Sequence, residues 1–157
     1  TFIMRWLHVV CGVMWVGLLW YFNFVQIPTL PKIPDEQKPA IGKFIAPAAL
    51  FWFRWAALAT VVTGLLVAAM SGYSMQALSL QRPFLAIGIG MWIALVMAFN
   101  VWFIIWPSRK KALGIVTVEP AEKAKAARFA MLTSRANTML SIPMLMSMVG
   151  AHHGYFL

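Results

Sequence analysis

The sequence predicts an all-α integral membrane protein: one domain, built as a four-helix bundle, with both termini on the outer (periplasmic) side of a bacterial inner membrane. Three observations predict it. The 157 residues are 62% hydrophobic and only 11% charged, and the mean hydropathy is +0.78, which is more apolar surface than a soluble domain can hide. The apolar residues gather into four runs, each near the ~20 residues that cross a bilayer as a helix. The lysines and arginines divide unequally between the loops that join those runs.

The first run, residues 2–26, contains His8, Cys11, Gly12 and Trp15. It is too long, and its Asn-Gln exit too polar, for a cleaved signal peptide. Pro28, Pro31 and Pro34 then predict the end of the helix and a loop over 28–47. The second run covers about 48–70 and closes at Ser71-Gly72. The third covers about 83–106, with Pro83 suited to a first turn and Pro107 as its stop. A polar segment, 107–129, follows. From Pro120 it reads as a helix, with Glu119 and Glu122 near its N-terminus as the helix dipole prefers. That helix continues into the fourth run, about 130–151, where Pro143 is tolerated as a kink.

Orientation follows from charge. The first loop carries Lys32, Lys38 and Lys43, and the third carries Arg109, Lys110, Lys111, Lys123, Lys125 and Arg128. The opposite side has only Arg5 and Arg82. The two basic loops therefore belong in the cytoplasm. The same distribution removes any nucleic-acid reading of the net charge of +9, because topology alone accounts for it. A single cysteine, Cys11, permits no internal disulfide, and the absence of C-x-x-C-H excludes a covalently attached c-type haem. Cys11 reads as a small packing residue.

With this topology His8, His152 and His153 fall toward one face of the membrane. An ionisable residue inside an apolar span is a functional candidate by default. Two neutral imidazoles from facing helices suit the axial positions of a haem b iron, and His8 and His152 are the expected pair. Gly12, one turn after His8, leaves room for a flat macrocycle, and Arg5 and Arg82 are placed to pair with its carboxylates. The same residues also suit plainer roles. His8 can hydrogen-bond a neighbouring helix, His152-His153 can be a wet C-terminus, and zinc or copper can bind histidines, although neither a carboxylate nor a second cysteine is at hand. A second polar set lies toward the basic end: Asn23, Gln26, Arg54, Asn100, Arg135 and Asn137. It reads as an interhelical hydrogen-bond network with snorkelling arginines, and alternatively as a quinone or anion site. No Asp or Glu lies inside any span, which argues against a carboxylate-based proton pump.

Four stretches carry a family resemblance: RWLHVVCGVMWVGLLWYFNFVQ, FRWAALATVVTGLL, FNVWFIIWPSRKKALG and SRANTMLSIPMLMSMVGAHH. Together they resemble the membrane domain of the bacterial cytochrome-c-type urate oxidase (urate hydroxylase) family, across all four spans in order. The W-L-H-x-x-x-G-x-x-W-x-G opening is also similar, more distantly, to four-helix haem-b membrane proteins related to bacterial protoporphyrinogen oxidases. The resemblance implies a membrane bundle linked to electron transfer, with the first-span histidine, here His8, as a haem ligand. The fourth-span histidine of the pattern matches His152 better than His153. In that family a soluble cytochrome c domain normally follows. The sequence here stops at Leu157, so the expectation is an electron-transfer subunit or oxidoreductase served by a separate periplasmic cytochrome c or by other membrane subunits. A different class of function also fits: a cofactor-free accessory subunit of a larger respiratory or photosynthetic complex. A third is an oxidase in which Arg54 and Arg135 recognise an anionic substrate.

Overall fold

The computed structural model describes residues 1–154, and among them every regular element is helical. Three long helices are apolar and long enough to cross a membrane: α1, Phe2–Lys32; α2, Lys38–Met70; and α4, Leu85–Ala112. A short helix α3, Ser74–Leu78, links α2 to α4. The last helix, α5, runs unbroken from Pro120 to His152 through Pro143.

The first helix ends before Pro34, as the sequence predicts, but Pro28, Pro31 and Pro107 do not stop the helices they lie in. α1 passes through Pro28 to Lys32, α2 begins ten residues before position 48 and passes through Pro47, and α4 passes through Pro107 to Ala112. The physical reason is the same three times. Proline has no N–H, and its ring strikes the carbonyl four residues back. Each of these prolines is preceded by a widened π turn: Phe22–Gln26, Ile41–Ile45 and Val101–Ile105. The N–H groups of Ile27, Ala46 and Trp106 reach the carbonyls of Phe22, Ile41 and Val101, five residues back. The extra residue moves the obstructing carbonyl aside, and the helix continues instead of stopping. The helices are therefore longer than a bilayer core. At 1.5 Å per residue α1 is about 46 Å long against a core of about 30 Å, and the excess carries Lys32, Lys38 and the Arg109–Lys111 run.

The helices pack as two antiparallel pairs, α1 with α2 and α4 with α5. Contacts fix the direction: His8 meets Thr60 while Phe22 meets Phe53 at 5.6 Å, edge to face. Trp15, Leu19, Phe53, Met97, Val101 and Ile105 fill the seam between the pairs and are almost wholly buried. The chain termini and α3 share one end, here the terminal end. The α1–α2 and α4–α5 connections share the other, the basic end. At the terminal end α3 leans on α4 so closely that a Cβ at Gly88 would run into the Ala77 carbonyl. There the Trp92 indole donates to the Leu78 carbonyl at 2.9 Å, and Tyr73 stacks on Phe84. α4 starts at Leu85, two residues after Pro83.

Candidate functional site

His8 faces α2. Its Nδ1 lies 2.9 Å from the Thr60 carbonyl and 3.2 Å from Thr63 Oγ1. A carbonyl only accepts, so Nδ1 carries the proton and Nε2 keeps a lone pair. The Thr63 hydroxyl donates to the Ala59 carbonyl at 2.7 Å, so its oxygen is free to accept a share of the same imidazole N–H. The ring fits a notch on α2 because residue 64 is glycine. A Cβ there would sit 2.7 Å from His8 Cε1, closer than real packing allows. β-Carbon-free backbone at position 64 is thus what admits the imidazole, and sequence reasoning passed over it. Its signal was the run Thr60-x-x-Thr63-Gly64, two back-bonding hydroxyls and a glycine in an apolar helix.

Gly12, expected to make room for a macrocycle, turns toward α2 as well. A Cβ there would lie an ordinary 3.8 Å from Thr60 Cγ2. Cys11 is half-buried. Trp15 is fully buried, and among the described residues its indole N–H has no acceptor. Arg5 and Arg82 are both exposed, toward the terminal end. His152 and His153 close α5 at that end and are exposed, with rings 5.5 Å apart and edge to face. His153 donates from Nδ1 to the Val149 carbonyl at 3.0 Å. Among the described residues, no three His, Cys, Asp or Glu side chains gather as a metal cluster.

The second polar set is wired between helices. Asn137 is fully buried; its amide donates to the Met97 carbonyl at 3.0 Å, and its oxygen accepts from Asn100 at 2.9 Å. The Asn23 amide donates to the Leu19 carbonyl at 2.9 Å and to Ser134 Oγ at 2.8 Å, while its own oxygen is buried without a donor. Trp20 donates to Ser141 Oγ at 3.0 Å, and Tyr21 donates to Gln26 Oε1 at 3.2 Å. The Arg54 guanidinium carbon sits over the Trp106 ring, 3.8 Å from its centre, while the Arg54 carbonyl accepts from the Trp102 indole at 3.0 Å. Arg135 is exposed on α5.

The α1–α5 hydrogen bonds, Trp20–Ser141 and Asn23–Ser134, all lie in the basic half. Nearer the termini, the side of α1 away from α2 is exposed: Phe2, Ile3, Trp6 and Val13. The family model described as urate oxidase N-terminal matches residues 56–157. The match takes in Thr60, Thr63, Gly64, Asn100, Asn137 and His152, and leaves α1 with His8 outside it. No curated protein and no solved structure matches the chain. With more than half its length matched, from Ala56 to Leu157, the chain belongs to the urate oxidase N-terminal family.

Proposed function

We propose that this chain is a haem-b-holding electron-transfer domain of the inner membrane, with His8 as one axial ligand and His152 as the other. In this reading all four long helices cross the bilayer, both termini face the periplasm, and the basic end faces the cytoplasm. The antiparallel order of the helices and the excess of cations at one end support it. The observation that carries the proposal is the 2.9 Å contact of His8 Nδ1 with the Thr60 carbonyl. A ligating histidine typically donates its other N–H to a carbonyl or carboxylate, which fixes the ring and raises its basicity. Thr60 does this for His8, and Gly64 supplies the space.

The residues present fit the group. His8 offers Nε2. The Trp15 N–H is a buried donor in want of an acceptor. Arg5 and Arg82 offer cationic partners for carboxylates at the water boundary. When bound, the iron supplies one-electron chemistry, with a potential set by its ligands and by burial. The test is a reduced-minus-oxidised spectrum of purified protein. A b-type absorbance is expected in the wild type and is lost in His8→Ala. A purified protein with no such absorbance, or a His8→Ala variant that keeps it, sinks the assignment.

A second reading is favoured by the exposed apolar strip of α1, where Phe2 is 79% and Val13 68% exposed. Such a strip fits lipid, and it equally fits a larger complex in which this chain is a cofactor-free accessory subunit. Co-purification with a large assembly and no haem of its own would decide for it. Urate oxidation by this chain would require a cytochrome partner to take the electrons, and turnover of urate in reconstituted membranes is its test.

A further inference from the structure

We propose that the basic end holds a phosphate-binding site, separate from the histidine end, built to take the headgroup of an anionic phospholipid. A cavity of about 400 Å³ opens there between the ends of α1 and α4 and the first turns of α5. Lys38, Arg109 and Arg128 line it, and Ile27, Leu30 and Met131 give it an apolar floor. Three cations and no acid line this cavity. Among the described residues the only ion pair is Lys38 with Asp35, at 2.9 Å. The Asp35 side chain is 93% exposed, so this pair is weak and yields readily to a better anion. Neither arginine has an acidic partner among the described residues.

A half-enclosed arginine without an acid favours a phosphate, whose oxygens accept the planar guanidinium fork two at a time. The proline-and-π geometry explains why the cations are together. Because α1 and α4 pass through Pro28 and Pro107 instead of stopping, Leu30 and Arg109 stay on helices and reach the level of Arg128. The floor selects among phosphates. Free phosphate needs no apolar surface, whereas a phospholipid brings acyl chains that would cover Ile27, Leu30 and Met131. This is also the level where helices of this length leave the hydrocarbon.

The experiment is native mass spectrometry of the full chain in detergent, titrated with phosphatidylglycerol, with phosphatidylcholine and with inorganic phosphate. Phosphatidylglycerol should be retained about tenfold better than phosphatidylcholine, as expected for a few near-surface cations. Arg109→Gln/Arg128→Gln should lower its retention to the phosphatidylcholine level, whereas Lys43→Gln/Arg135→Gln, which removes equal charge elsewhere, should not. Ala127→Trp fills the cavity without removing charge and should have the same effect as the arginine pair. It decides the matter if the arginine variant fails to fold. Retention of inorganic phosphate with no preference for phosphatidylglycerol would keep the phosphate site and overturn the lipid as its source. Wild-type retention of phosphatidylglycerol in both cavity variants, or no retention of either phosphate source, overturns the site itself.

Discussion

The two halves of α1 hold their neighbours by different means. In the basic half the polar side chains are spent on other helices: Asn23 on Ser134, Trp20 on Ser141, and beside them Asn100 and Asn137 on each other. In the terminal half there is one such contact, from His8 to α2, and it uses only Nδ1. The first half is cross-linked to α5, and the second is tied only to α2. Hydrogen bonds between membrane helices are worth only about 0.6–1.7 kcal/mol each, so a polar layer is assembled from several. A single histidine contributes little to stability in that way. Under the proposed haem ligation, its free nitrogen would account for its expense inside the span.

The sharpest way to break this comparison is to disturb the free nitrogen without removing it. Gly64→Ala puts a methyl group 2.7 Å from His8 Cε1. The ring is the free end of a side chain and can swing away, so the helices should stay packed and the melting temperature should fall little. Swinging breaks the bond to Thr60. The expected result is loss of most b-type absorbance with little loss of stability. Gly12→Ala, whose new methyl meets Thr60 Cγ2 at an ordinary 3.8 Å, should keep its absorbance. Equal losses in the two variants would mean that the notch does not position His8.

In the cross-linked half the balance should reverse. Asn137→Ala removes a donor and an acceptor from a fully buried layer and leaves the Asn100 amide without its acceptor, while the Met97 carbonyl keeps the Val101 N–H of its own helix. A loss of about 1–3 kcal/mol is expected, read by thermal or denaturant unfolding in detergent, while His8 and its surroundings are untouched. Loss of the b-type absorbance in a still-folded Asn137→Ala would show that the two halves are not independent.

Much of this division was legible in the sequence. Three of the four apolar runs marked the three long apolar helices, and the polar residues at the boundaries of the runs marked the cross-linked layer. Side-chain type was enough there, because Asn and Trp in an apolar helix must find partners wherever the partners are. Two features were not legible. Pro28 and Pro107 predict helix ends because proline alone breaks a helix. Only the path of the chain reveals the π turns before Pro28, Pro47 and Pro107. Gly64 was passed over because a glycine in a membrane helix is common, and its meaning depends on a ring from another helix. Gly12 was chosen because it neighbours His8 in sequence, whereas the residue that matters neighbours it in space.

The smallest expected effect sharpens the comparison within the histidine site itself. Two groups lie within reach of His8 Nδ1, and only one is a backbone atom. Thr63→Val removes the side-chain partner at 3.2 Å and keeps the carbonyl of Thr60 at 2.9 Å. The lost hydroxyl also bonded the Ala59 carbonyl in its own helix, a carbonyl the regular helix bonding still serves. Stability should therefore change by less than about 0.5 kcal/mol, in the range of substitutions that leave no buried group unpaired. The absorbance should persist, with at most a small shift in midpoint potential on redox titration, since Nδ1–H keeps its stronger acceptor. A Thr63→Val variant that loses its absorbance would transfer the orienting role from the Thr60 carbonyl to the Thr63 hydroxyl. It would also make the tautomer of His8 depend on a replaceable side chain, where the geometry assigns it to the backbone.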